Sequence, residues 1–344
     1  MILKDMGINF ILFCVACFIL SLALIVIVMP YFIKALKRRN INQVTSEYAL
    51  DEFKNKEKTP IMGGLLFVVL PIIAYVVLNA KGFADKKTLF VVLSFVLYCL
   101  VGFADDMLII NSGKNDGLSP ISRLIMELGI SIVLYFVFSD IIPCQITIPF
   151  TSISIKLPVF IFVPFMSLLY MAEANAVNFT DGMDGLCAGV SFIGLIPFVV
   201  LSILHGNSNI ALLIFCIMGG LLGYLFFNHH PAKIFMGDSG SLALGALFAS
   251  LAIVDDLTIA LFVIGGVFVA EMFCVVVQQV SVRLFHKRVF SYTPIHYAFV
   301  LKGYKETKIV YGFYLVAIVL AILGLIIGLN TLWNMYSMKI MIYL

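Results

Sequence analysis

Long apolar runs alternate with short polar connectors along this chain. A bilayer-crossing helix needs ~17–25 predominantly apolar residues. Ten windows meet or approach that length, at about 8–33, 61–79, 88–104, 120–139, 157–174, 185–204, 209–227, 241–254, 257–281 and 309–331. Pro30, Pro71, Pro164 and Pro197 fall inside them, which lipid-embedded helices tolerate. The first run, Ile8–Leu36, is longer than the ~7–15-residue core of a secretory signal and lacks a small-x-small cleavage site. It is read as a span. The pattern predicts an all-α polytopic membrane protein, one domain over residues 1–344, with about ten transmembrane helices.

One connector departs from the pattern. "SDIIPCQITIPFTSISIKLP" (139–158) alternates apolar and polar residues around prolines and reads either as a short β-hairpin or as an irregular loop. The basic residues set the orientation. The connectors after the odd-numbered spans, with their flanks, hold 16 of the 22 Lys and Arg. The positive-inside rule puts that side in the cytoplasm and both termini outside.

Composition agrees. The chain is 62% hydrophobic and 12% charged, where soluble domains are about half apolar and a quarter charged. A net charge of +3 gives no case for nucleic acid. Six of the seven cysteines (Cys14, Cys17, Cys99, Cys187, Cys216 and Cys274) lie in or beside apolar runs without zinc-ligand spacing, and read as small buried hydrophobes. Cys144 lies in the outer connector.

Five polar segments fall on the predicted cytoplasmic side: "NKEKTPIMGG" (55–64), "ADDMLII" (104–110), "NAVNFTDGMDGL" (175–186), "FNHHPAKIFMGDSGSL" (227–242) and "FSYTPIHYAFVLKGYKETK" (290–308). Folding alone does not require that convergence, and acids near a bilayer are functional candidates. Asp184 and Asp238 precede apolar helices, so each could be an N-cap; Ser239 or Ser241 could cap the second helix instead. Asp181 and Asp184 are spaced i,i+3; on a helical turn they would share a face and repel unless a cation lay between them. Asp105 and Asp106 end a span whose C-terminal dipole disfavours negative charge. No basic residue lies within five positions of the pair, so either it is a solvated surface pair or its counter-charge comes from another loop or a bound metal. Acids without cysteine ligands suit a hard divalent ion such as Mg²⁺, shared with substrate phosphates. "MGDSGS" offers free backbone N–H groups at a helix start. These residues point to metal-dependent phosphoryl-group chemistry, with one substrate approached from the bilayer. A transporter of polyprenyl phosphates also fits ten spans, but it predicts acids along a through-path rather than at one end.

The segments together resemble the polyprenyl-phosphate N-acetylhexosamine-1-phosphate transferases, over nearly the whole chain. "NAVNFTDGMDGL" and "FMGDSGSLALG" are specific to that superfamily. "TPIMGG", and "TPIH" followed by "LKGY" and "ETK", point to its phospho-N-acetylmuramoyl-pentapeptide transferase branch. The resemblance implies transfer of phospho-MurNAc-pentapeptide from UDP-MurNAc-pentapeptide to undecaprenyl phosphate, giving lipid I and UMP for peptidoglycan synthesis. A related transferase using UDP-N-acetylglucosamine or another UDP-amino sugar is the alternative. It further implies Mg²⁺, a bacterial inner-membrane location with a cytoplasmic active site, and suggests a homodimer. Asp238 would be the main metal ligand, with Asp105 and Asp106 near the lipid phosphate and the metal. Asn178, Asp181 and Asp184 would shape the nucleotide and metal site, and Asn228 would lie near the uridine diphosphate. His296 would contact phosphates or sugar. Lys54 or Lys56, with Thr59, would line the same cleft. The chain departs from the family at Ile109, where a lysine is usual, and at Tyr297, Ala298, Val300 and Tyr304. These changes thin the polar lining of the donor pocket and leave the acids whole.

Overall fold

The structure, a computed structural model, describes residues 8–42, 55–113, 117–151 and 153–343. Its helices in chain order are α1 (Ile8–Arg38), α2 (Gly64–Leu78), α3 (Lys86–Ser112), α4 (Pro120–Val137), α5 (Val159–Thr180), α6 (Leu186–Leu204), α7 (Ser208–Asn228), α8 (Asp238–Val254), α9 (Thr258–Ile264), α10 (Gly266–Phe285), α11 (Ile295–Leu301) and α12 (Glu306–Tyr343). Single 3₁₀ turns occupy Asn55–Lys58 and Gly82–Ala84. Every predicted span is helical. Among the described residues, eight helices are long and apolar enough to cross a membrane, and α2 and α8 are shorter apolar helices. The ninth window is two helices, α9 and α10, which meet at Gly265 and Gly266. Two adjacent glycines hold a helix weakly and allow such a break.

The outer connector is a hairpin. Strands β1 (Gln145–Thr147) and β2 (Ser154–Lys156) pair antiparallel, with Ile146 opposite Ile155. Asp256, just beyond α8, fastens it by accepting from the Thr147 backbone (3.2 Å), the Thr147 hydroxyl (2.6 Å) and Gln145 Nε2 (2.9 Å). All seven cysteines are free thiols, and the Cys144 sulfur lies 3.3 Å from the Tyr135 hydroxyl.

Helix α3 corrects one expectation. Its N-cap Asp85 accepts from Thr88 N, its C-cap Gly113 is left-handed, and its 27 residues run past Asp105 and Asp106 to Ser112. At ~1.5 Å per residue it is ~40 Å long, more than the ~30 Å apolar core of a bilayer. The acidic pair therefore lies within the last turns rather than at the helix end, and both side chains are buried.

Helix α8 lies at the centre. Every residue from Ser239 to Val254 is buried, as expected of a helix apolar all round. It packs against α3, α5 and α2. Small residues permit the close approach: a Cβ at Gly102 of α3 would lie 2.1 Å from the Asp238 carbonyl, and one at Gly245 would lie 2.4 Å from Ala174 Cα. With 17 residues, α8 is shorter than the apolar core, so its N-terminus opens inside the bundle.

Candidate active site

A helix leaves its first N–H groups unpaired, and burying them demands an acceptor. At α8 that acceptor comes from another helix. Asp106 Oδ1 accepts from Asp238 N (2.9 Å) and Asp106 Oδ2 from Ser239 N (3.0 Å). The capping position is Gly237, which has φ +77° and no side-chain cap of its own. A Cβ there would lie 2.7 Å from Asp106 Oδ2. The counter-charge of Asp106 is thus the positive end of the α8 dipole, rather than a side-chain cation. Neither Asp238 nor a serine caps α8. Asp105 has a different anchor: its Oδ1 accepts from Leu118 N (2.7 Å).

Asp238 is paired with a residue the sequence pattern did not single out. Arg123 Nη1 lies 3.0 Å from Asp238 Oδ2, and Arg123 Nη2 donates to Asn175 Oδ1 (3.1 Å). Asn175 Nδ2 in turn donates to Glu127 Oε2 (2.9 Å). The other Asp238 oxygen accepts from Asn178 Nδ2 (2.8 Å), which also donates to the Ser241 hydroxyl (2.9 Å). The charge of Asp105 faces Asp238 as well. The Asp238 side chain is 23% exposed, whereas Asp106 is 1% exposed as a residue. Asp238 is the member of this group open to a ligand.

The turn after α5 supplies a second group. Asp181 is the C-cap of α5. Burial, with the Asp238 charge adding to it, pushes its carboxyl up to about 7. Asp184 is neutralised directly: Lys56 Nζ lies 2.5 Å from Asp184 Oδ1 and 2.7 Å from Glu306 Oε1. Asp184 Oδ2 is 2.9 Å from His230 Nδ1 and accepts from Ala232 N (3.0 Å). Glu306 Oε1 also accepts from Asp184 N (2.8 Å). The expected cation beside the Asp181–Asp184 pair is Lys56, and it serves Asp184. Asp184, His230 and Glu306 are near enough together to hold a metal ion. Lys56 bonds two of these three groups and already supplies their positive charge.

Asn228 faces protein. It accepts from Gly185 N (3.1 Å) and donates to Ile234 O (3.0 Å), fastening the 181–185 turn to the segment before α8. The stretch carrying Thr59 runs beside that segment: Phe235 N donates to Pro60 O, and Gly63 N donates to Phe235 O. Thr59 itself closes a turn onto Lys56 O. His296 is fully buried, with Nδ1 3.0 Å from Glu271 Oε1. The next residue, Tyr297, donates its hydroxyl to Gly182 O (3.0 Å). Lys54 lies outside the described residues. A cavity of about 350 Å³ between α7 and α12 borders Asp184, His229, His230 and Tyr314. All five polar segments therefore meet at one end of the bundle. Arg123, Glu127, Asn175, Glu271 and Glu306 complete the site. Asn175 and Glu306 lie inside quoted motifs but were not singled out, whereas Arg123, Glu127 and Glu271 lie on helices outside the motifs.

The profile described as glycosyl transferase family 4 matches residues 88–256, the stretch that carries Asp105, Asp106, Asn178, Asp181, Asp184 and Asp238. Beyond that stretch the likeness extends almost end to end. A phospho-N-acetylmuramoyl-pentapeptide-transferase of Staphylococcus carnosus (strain TM300) is 36% identical over 319 residues, covering 91% of this chain and 98% of the relative. One from Geobacillus sp. (strain WCH70) is 39% identical over 312 residues, covering 90% and 96%. At that identity and coverage, with the motif residues gathered around one buried helix start, the chain belongs to the phospho-N-acetylmuramoyl-pentapeptide-transferase family.

Proposed function

We propose that this protein transfers phospho-MurNAc-pentapeptide from UDP-MurNAc-pentapeptide to undecaprenyl phosphate, releasing UMP and forming lipid I. The observation that carries the reading is the end-to-end likeness to transferases of that name. The site is compatible: an accessible carboxylate, Asp238, stands at a helix N-terminus sunk in the bundle. Helix starts in such positions favour anionic groups. The acids collect at one end, as a transferase needs and a transport path does not. The density of lysine and arginine supports a cytoplasmic position for that end.

Mg²⁺ fits the donor set. Asp238, with Asp105 facing it, offers hard oxygen ligands beside a place for phosphate. When bound there, the ion would offset charge on the donor pyrophosphate. Arg123 and Asn178 hold the Asp238 carboxylate in place, and Asp106 holds the helix that presents it. The lipid phosphate has a second pKa of about 6, so it is largely ionised at neutral pH. It can attack the sugar-linked phosphorus without a strong general base, and UMP leaves. Asp105, tied to Leu118 N, orients the acceptor in this scheme. A two-step route through an aspartyl phosphosugar predicts exchange between UMP and the donor in the absence of lipid acceptor.

The test is turnover of radiolabelled donor by wild type and Asp238→Asn, comparing UDP-MurNAc-pentapeptide with UDP-N-acetylglucosamine. Product from the first donor alone, lost in Asp238→Asn, is the expected result. Turnover of UDP-N-acetylglucosamine alone overturns the donor assignment. Full Mg²⁺-dependent activity in Asp238→Asn overturns the metal assignment.

A further inference from the structure

We propose that Glu271 is a positioning residue for the transfer reaction, acting through His296 on the turn that carries Asp181 and Asp184. The proposal rests on the transferase reading above. Glu271 lies on α10 and is fully buried. An acid in a lipid-spanning helix is costly unless its oxygens are bonded. Its bonds all run to the start of α11. Oε2 accepts from Ile295 N (2.6 Å), and Oε1 accepts from His296 N (3.3 Å) and from the His296 ring at Nδ1 (3.0 Å). The two backbone bonds tie down a helix start. The third is a side-chain bond that sets the rotation of the imidazole.

An ionised carboxylate only accepts, so this contact puts a ring hydrogen on Nδ1 and turns Nε2 to the opposite side. That nitrogen is buried without a hydrogen-bond partner. It rests against Gly182, where a Cβ would lie 2.3 Å from it. Tyr297, its ring centre 4.2 Å from that of His296, holds the carbonyl of the same glycine through its hydroxyl at 3.0 Å. Two consecutive residues of α11 therefore support one glycine, and that glycine lies between Asp181 and Met183 in the turn that ends at Gly185. Rotation of the His296 ring would press on Gly182 and move the carboxylates beside it. Glu271 prevents the rotation from a different helix, reaching the site only through His296 and the start of α11.

Two readouts on the full chain in lipid nanodiscs test this. The first needs no substrate. The chain has five histidines, and the ¹⁵N signals of His296 are identified by their loss in His296→Ala. Wild type should show Nδ1 protonated and Nε2 bare, and Glu271→Gln should shift the ring toward the opposite tautomer. The second is turnover of UDP-MurNAc-pentapeptide with undecaprenyl phosphate. Glu271→Gln should lower kcat roughly 10- to 100-fold, the scale for changing a residue that orients another functional side chain, with little change in KM. In a His296→Ala background it should cost nothing further, because the two act as one unit. Gly182→Ala leaves Glu271 intact, displaces the ring and should give a similar kcat loss. Multiplicative losses in the double variant, an unchanged imidazole signature in Glu271→Gln, or wild-type kcat in Gly182→Ala each overturn the proposal. Failure of wild type to use this donor overturns the transferase reading alone, since the imidazole signature is read without substrate.

Discussion

Asp106 caps the helix that begins at Asp238: its two carboxylate oxygens accept from the backbone N–H groups of Asp238 and Ser239, across 132 and 133 residues of chain. One acid of the "ADDMLII" pair is thereby committed to holding α8, and the other, Asp105, is bonded instead to Leu118 N. Substitutions should separate these duties. Asp106→Ala leaves two buried N–H groups without an acceptor, at about 1–3 kcal/mol each. It should lower the unfolding temperature in detergent more than Asp105→Ala does. Equal losses in the two variants would rule out the capping role.

Arg123 bridges Asp238 and Asn175 with two different nitrogens. A lysine supplies one point charge and cannot reproduce that fork. Arg123→Gln should lower turnover roughly 10-fold, and Arg123→Lys should recover only part of it. A double-mutant cycle with Asp238→Asn, read as thermodynamic stability, should give a coupling of about 1–3 kcal/mol for a charge-assisted bond. Additive effects would mean that the pair does not interact in the working enzyme.

Asp181 links stability to pH. Its carboxyl is pushed up to about 7 by burial and then by Asp238, against about 3.9 in an unfolded chain. Between these values the folded state keeps a proton that the unfolded state has released. Stability therefore falls as pH rises from about 4 to about 7. With divalent ions chelated, unfolding temperature should drop between about pH 4 and pH 7, and Asp181→Asn should flatten the drop. An unaltered slope in that variant assigns the effect to other groups.

Lys56 is the cation of the Asp184–Glu306 group, whose side chains are only 2% and 12% exposed. Lys56→Ala leaves two close carboxylates and His230 around an opening that suits a divalent ion. The variant should be destabilised in chelator and should regain more unfolding temperature with Mn²⁺ or Mg²⁺ than wild type does. A metal response no larger than wild type would show that Lys56 does not hold the place of an ion there.

The spans were legible because hydrophobic length is a local property of the chain. The exceptions are local too: the Gly265–Gly266 break and the extension of α3 beyond Asp106 lie where composition leaves a helix free to stop or to continue. Asp238 was legible as chemistry, because an acid at the end of an apolar run costs energy and needs a reason, whereas Asn178 entered only through the family resemblance. Asn228 was expected near the uridine diphosphate only from the resemblance, and the structure turns its amide toward Gly185 and Ile234. Arg123, Glu127 and Glu271 gave no signal. Arg123 and Glu127 face each other at i,i+4 on α4, but a charged residue on a membrane helix does not announce its partners on other helices, here Asp238, Asn175 and His296.

The sequence by itself determined the solvent each segment tolerates, the end of the bundle that carries charge, and the acids available for phosphoryl chemistry. These follow from transfer energies and from the count of basic residues, which need no tertiary contact. Only the tertiary structure decided how each acid is compensated. Asp106 is answered by a helix dipole, Asp238 by Arg123, and Asp184 by Lys56. Asp181 is left near neutrality. Electrostatic compensation in a low-dielectric interior works over a few ångströms, and in this fold the groups that come that close lie more than a hundred residues apart in the chain.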